Sequence, residues 1–266
     1  MKLIMMDMDG TLFTDDKRIT EPTIEALRFV KTLGVKIGLA SGRAKSLLEK
    51  TIKEYHLEDI VDYAVAINGV QIVDFNKDYV QETHWLSKDS INEIASKLED
   101  FPANFVVYDD HCRYVKYMSE REKMSAKRNG TELVVYDFSK NEKAWPKVLV
   151  ISDNELMSRE EFDYLYSLNN DVYHGFETAP FGYEFVDVRV SKDRGIATLC
   201  EYMGITMNEV MAFGDSGNDI GMLKAVGIGV AMGNATADAK VAAKDITLSN
   251  QEDGIAYYIN KYFKRG

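Results

Sequence analysis

Four short stretches of this chain carry residues whose types and spacing allow them to do chemistry together. In Asp7-Met8-Asp9-Gly10-Thr11-Leu12, two carboxylates stand two residues apart, and a glycine lets the chain bend sharply behind them. Such a pair, at the carboxyl end of a predicted strand, falls where the ligands of open α/β sheets gather. In Ser41-Gly42-Arg43, a hydroxyl donor and a backbone open to close approach suit a phosphate oxygen. Gly214-Asp215-Ser216-Gly217-Asn218-Asp219 is a glycine-bounded loop with acids four apart, which offers oxygen ligands to a hard cation without the longer loop of an EF-hand. The fourth feature is Lys192, in the run 190–195. Taken singly, each has a plain alternative: solvated loop acids, a tight turn, a helix N-cap or a surface lysine.

What joins them is the order of the elements that must carry them. Apolar runs at 3–9, 35–41 and 64–68 read as buried strands, alternating with helical spacing at Ile24, Leu27, Val30 and Leu33, with Thr20 as N-cap ahead of Pro22, and with a second helix to about Lys53. Continuous apolar strands separated by helices imply a parallel sheet covered on both faces, an α/β domain. From 82 to 188 the texture changes. Helices at 88–98 and 159–168 accompany aromatic strands at 105–109, 113–118 and 132–137, which read as an antiparallel α+β domain. The first texture then returns with a helix near 195–203 and strands at 210–213 and 228–232. Residues 1–81 and 189–266 are thus expected to form one discontinuous domain interrupted by 82–188. All four stretches fall at carboxyl ends of strands or beside them, where open α/β sheets bind ligands.

Composition narrows the partners. The 266 residues carry 32 Lys+Arg against 43 Asp+Glu, a net charge of −11, which disfavours nucleic acid and anionic membrane surfaces. An anionic small substrate remains compatible, because the segment 82–188, with 12 basic and 21 acidic side chains, holds nearly all of that charge. No run approaches a membrane span, and acids near the start interrupt any signal-peptide core. Cys112 and Cys200 are expected to be reduced, buried small hydrophobes, and His56, His84, His111 and His174 show no metal-ligand spacing. A cytoplasmic protein is expected, a monomer or weak dimer.

In this order the four stretches resemble the motifs of the haloacid dehalogenase superfamily of phosphohydrolases: DMDGTLF (7–13), LASGR (39–43), Lys192 and GDSGND (214–219). With AINGVQI (66–72), AMGNA (231–235) and the long insertion, the chain is similar to the Cof-type branch, type IIB, with a C2B cap, along essentially its whole length. The resemblance implies a Rossmann-like catalytic core and an inserted cap. It also implies a Mg²⁺-dependent phosphatase of small-molecule phosphate monoesters, sugar phosphates or phosphorylated cofactors. Asp7 would be the nucleophile, giving an aspartyl-phosphate, and Asp9 the general acid and base. Mg²⁺ would be held by Asp7, the Asp9 carbonyl and Asp215, with Asp219 behind them.

By the same resemblance Met8, Ser41, Gly42, Arg43, Asn218 and Lys192 would hold the phosphoryl group. Asn68 and Gly69 would face the leaving group and Asn234 would line the site. The aromatic strands of the insertion are expected to form the core of that unit, with Tyr114 or Tyr183 as residues that could face the substrate. The two roles of the acid pair call for a raised pKa at Asp9 and an ionised Asp7. Asp193 follows Lys192 where the family commonly has glycine, which leaves Arg194 as an alternative to Lys192. A phosphomutase of the same superfamily and a non-catalytic phosphometabolite-binding regulator are the competing readings.

Overall fold

The run Leu3–Met6 is buried at every side chain because it lies inside a sheet with helices on both faces. The computed structural model describes residues 1–109, 111–154 and 156–263. The chain divides into two units, Met1–Thr83 with everything from Ser191 onward, and His84–Val190. The first unit opens with β1 (Leu3–Met6), α1 (Glu21–Thr32), β2 (Lys36–Ala40), α2 (Lys45–Glu54), β3 (Tyr63–Ala66), β4 (Gln71–Asp74) and β5 (Tyr79–Glu82). The second holds α3 (Lys88–Lys97), β6 (Asn104–Tyr108), β7 (Cys112–Val115), α4 (Glu120–Asn129), β8 (Glu132–Val135), β9 (Val148–Ile151), α5 (Arg159–Ser167), β10 (Tyr173–Ala179) and β11 (Gly182–Asp187). The first then resumes with α6 (Lys192–Met203), β12 (Val210–Gly214), α7 (Ile220–Ala225), β13 (Ile228–Ala231), α8 (Ala237–Ala242), β14 (Asp245–Ile246) and α9 (Gly254–Phe263).

The first unit is an α/β sheet in the order β14-β13-β12-β1-β2-β3-β4-β5, parallel as far as β3 and antiparallel through the β3-β4-β5 meander. From β1 the chain steps one way to β2 and β3; it returns on the other side of β1 as β12 and steps outward to β13. The direction of winding therefore reverses between β1 and β12, which opens a crevice at their carboxyl ends. Met6 pairs with Phe213, so Asp7 leaves the sheet beside Gly214, the last residue of β12. On β1, Ile4 and Met6 pack with Leu27, Val30, Leu48 and Ile259, whereas Leu3 and Met5 pack with Ile196, Leu199 and Met222. Among the described residues, no helix is long and apolar enough to cross a membrane.

The second unit has its own six-stranded sheet, β10-β11-β9-β6-β7-β8, and its own core. It is antiparallel except for β7 and β8, which run parallel and are joined through α4. That helix and that pairing depart from the expected antiparallel layout. The segment EREKMSAKRN has no apolar stripe, and only Glu122 and Ala126 of it are buried. Its helix is specified at the ends instead: Ser119 caps it, acids open it, Lys127 and Arg128 close it, and Gly130 exits at φ 74°. Below it, Glu122 forms a buried ion pair with Arg113.

Three further expectations change. Tyr183 is fully buried against Tyr166 and Phe185, so it belongs to the core and cannot meet a substrate. Tyr114, by contrast, is only half-buried where it packs against Trp145 and Tyr136 at the edge of that core. Cys112 is partly exposed rather than buried, while Cys200 is buried, and both are free. The third strand also stops early, at Ala66, because Ile67 and Asn68 adopt left-handed conformations (φ 48° and 53°) and turn the chain back into β4.

That turn sits under the first turn of α6 at very close range. A methyl group at Gly195 would lie 2.4 Å from Val65 Cγ1 and 2.9 Å from Gly69 Cα. Gly195→Val is therefore expected to cost about 2–3 kcal/mol through overpacking, measured by urea denaturation. A loss under about 0.5 kcal/mol would mean that α6 does not pack flush on β3.

Candidate active site

The crevice between β1 and β12 collects the acids. Lys192, the first residue of α6, is 1% exposed. Its Nζ donates to Asp7 Oδ1 at 2.5 Å and to Asp219 Oδ1 at 2.6 Å. Asp219, ahead of α7, uses its other oxygen to accept from the backbone N–H of Asp215 (3.0 Å) and of Ser216 (3.1 Å), which closes the acidic loop on itself. Thr11 Oγ1 donates to Asp215 Oδ1 at 2.8 Å. One carboxylate oxygen from each of Asp7, Asp215 and Asp219 lies within 4.8 Å of the others. Gly10, at φ 86°, lets the first loop press against this cluster, since a Cβ there would stand 2.5 Å from Asp215 Oδ2.

Three carboxylates facing one ammonium set the electrostatics. Burial, with Asp219 and Asp215 alongside, raises the Asp7 carboxyl to about 7 despite the opposing pull of Lys192. Burial also raises Asp215 to about 6, against the Thr11 hydrogen bond. Burial alone would lower the Lys192 ammonium, but Asp219 and Asp7 outweigh it and hold it well above the usual lysine range. Asp9 runs the other way. Its carboxylate points to Arg43 Nη2 (3.0 Å) and Lys17 Nζ (2.8 Å), and these cations overcome partial burial to hold its pKa below the ordinary value. This is the order without the metal ion that the expectation places beside Asp7: Asp7 sits in the negative crevice, Asp9 on its cationic rim.

The remaining predicted residues form a layer around this cluster. Ser41 is buried, its Oγ accepting from the Arg43 N–H (3.2 Å), and its carbonyl accepts from the Asn68 N–H (2.9 Å). A Cβ on Gly42 would lie 3.1 Å from Asn68 Nδ2, and one on Gly69 would lie 2.5 Å from the Ser191 carbonyl oxygen. The second and third loops are thereby laced to each other and to the start of α6. The Met8 side chain is buried in the core, which leaves only its backbone to serve the site. Asn218 Oδ1 accepts from Ser216 Oγ (2.8 Å). Asn234 donates to the Gly10 carbonyl (2.8 Å) and accepts from the Asn250 N–H (3.0 Å), so it braces the first loop. Arg194 is exposed, whereas Lys192 occupies the cluster.

Sequence reasoning missed Asn250 and Lys17 as site residues and gave Thr11 no role. Asn250 Nδ2 donates to the Phe13 carbonyl from 237 residues away, a partnership that no local pattern announces. Thr11 lies inside the first motif, and its hydroxyl beside an acid pair was the available signal.

A cluster of acids around one buried ammonium, at the winding reversal of a parallel sheet, is an arrangement of an α/β enzyme fold that can hold a hard cation. The model for haloacid dehalogenase-like hydrolases matches residues 4–259, and the chain belongs to that family. YxeH of Bacillus subtilis (strain 168) is 31% identical, over 98% of this chain and 97% of its own length. The 5-amino-6-(5-phospho-D-ribitylamino)uracil phosphatase YitU of the same organism is 28% identical, over 98% of this chain and 97% of its own. The solved structure of the HAD subclass IIB sugar phosphatase BT4131 is similar with a TM-score of 0.84, at 26% identity over 99% of both chains.

The raised carboxyls make a pH prediction. A carboxyl whose folded pKa lies above its unfolded value of 3.8 favours folding below that value, and the benefit disappears as pH rises through about 6 for Asp215 and about 7 for Asp7. In chelator, Asp7→Asn should therefore gain thermal stability relative to the parent as pH rises from about 5 to about 8. A difference in melting temperature that stays constant across that range would contradict the assignment.

Proposed function

We propose that this hydrolase is a phosphatase of small-molecule phosphate monoesters that works through an aspartyl-phosphate on Asp7. The observation that carries the reading is the buried Asp7 carboxylate at the end of β1, with one oxygen held by Lys192 and two further acids beside it. Asp7 attacks phosphorus as the bond to the leaving oxygen breaks, and Asp9 gives that oxygen its proton. Water then attacks the same phosphorus, Asp9 takes a proton from it, and Asp7 and inorganic phosphate are released. Lys192, Ser41, Asn218 and the backbone of Met8 and Gly42 are assigned to the phosphoryl oxygens. Asp9 must be protonated to act first, and an arriving phosphate dianion supports this by competing for Arg43.

The donor set fits Mg²⁺: every ligand is an oxygen, and the cluster has more negative than positive charge. Asp7, Asp215 and the Asp9 carbonyl would hold the ion; Asp219, whose oxygens are engaged by Lys192 and the loop amides, would support from behind. Bound there, the ion would offset the repulsion between a carboxylate and a phosphate, about 4 kcal/mol for two unit charges some 4 Å apart at an effective dielectric near 20.

For substrate class, the proposal is sugar phosphates or phosphorylated cofactors and their precursors. One relative is named for a ribityl phosphate ester and one structural neighbour as a sugar phosphatase. Selection among these is assigned to the inserted unit.

The test is phosphate release from a panel of esters with and without Mg²⁺. Chelation should abolish release, and Asp7→Asn should lower kcat by at least about a thousandfold. Isomerised sugar phosphate without free phosphate would replace hydrolysis by phosphotransfer. Lys192→Met should lose at least about a hundredfold in kcat, while exposed Arg194→Ala stays within about twofold. The reverse result would move the third motif to Arg194.

A further inference from the structure

Two cations from different elements meet on the Asp9 carboxylate. Arg43 comes from the second loop and lies 3.0 Å from Oδ2 and 3.3 Å from Oδ1; Lys17, outside every motif, lies 2.8 Å from Oδ1. Lys17 and Asp9 side chains are 59% and 51% exposed, and such pairs typically contribute about 0–1 kcal/mol, so stability does not account for the way this one is built.

The lysine is held with care. Its backbone is left-handed (φ 59°), which disfavours any side chain. Its N–H donates to the Thr14 carbonyl (2.9 Å), and its own carbonyl accepts from the Tyr55 hydroxyl (2.6 Å). The Tyr55 ring packs on Phe13 with centroids 4.9 Å apart, and the Arg43 guanidinium sits 5.6 Å above that same Phe13 ring. Arg43 Nη1 is anchored in turn on Thr51 Oγ1 at 3.2 Å. Both cations thus lean on one aromatic pair and converge on one carboxylate.

We propose that Lys17 is a positioning residue that fixes the Asp9 carboxyl group for proton delivery to the leaving oxygen. This rests on the acid and base role given to Asp9 above. When the phosphate of an incoming ester competes for Arg43, Lys17 is the partner that keeps Asp9 in place. Tyr55 acts one step further back, by holding the Lys17 backbone.

The test compares phenyl phosphate, whose leaving group needs protonation, with p-nitrophenyl phosphate, whose leaving group needs it far less. Lys17→Met should lower kcat/KM on phenyl phosphate about tenfold and on p-nitrophenyl phosphate less than about threefold. Lys17→Arg should restore most of the loss, Tyr55→Phe should show a weaker form of the same bias, and Lys17→Met should add no leaving-group bias to Asp9→Asn. If Asp9→Asn separates the two esters but Lys17→Met lowers both equally, or neither, the positioning role is overturned while Asp9 keeps its assignment. If Asp9→Asn itself fails to separate them, both assignments fall.

Discussion

The site depends on one buried ammonium. Without partners, a lysine removed from water costs several kcal/mol, and at the first residue of α6 the helix dipole adds to the cost. Asp7 and Asp219 offset both, and neither acid could be buried so close to the other without Lys192 between them. This mutual dependence holds the end of β1, the start of α6 and the start of α7 within hydrogen-bond reach. The glycines follow from it: Gly10, Gly69, Gly195 and Gly214 stand where a side chain would push these segments apart.

One ammonium does not neutralise three carboxylates, and the imbalance is informative. Asp7 and Asp9 are two residues apart, yet in the turn that follows β1 one faces the negative crevice and the other Arg43 and Lys17. Their proton affinities separate in the sense opposite to the one their proposed roles require. A divalent cation beside Asp7 and an anionic ester beside Arg43 would each act to reverse that order. The protein thus bears, in its folded state, a repulsion that ligands relieve, the usual exchange of stability for activity.

The framework was legible because the strands of a doubly covered sheet are continuous apolar runs, and those at Leu3, Val35 and Val210 cannot be mistaken for amphipathic helices. The site was legible because its residues end those strands in a recognisable order. What escaped was set by distance or by direction. The α4 helix is polar and fixed at its caps; Ile67 and Asn68 look like more strand, and only the return into β4 makes them turn. The protonation order of Asp7 and Asp9 depends on which way two side chains face, and Asn250 acts across 237 residues. The insertion's aromatic strands do form its core, and Tyr183, one of two residues there that could have faced a substrate, is claimed by packing.

The central place of β1 also has a consequence in time. Lys192 lies 185 residues beyond Asp7, and Asp215 lies 204 beyond Thr11. At roughly 5–20 residues per second, a ribosome needs on the order of 10–40 s to bridge those intervals. Meanwhile β2 can cover one edge of β1, with β3 beyond it, and the inserted unit can close around its own core. The other edge of β1 stays open until β12 emerges, four apolar residues long and ready to pair with any passing strand. A nascent chain halted within the insertion would therefore carry an open sheet edge and the Asp7 carboxyl group without Lys192, making it a client for chaperones.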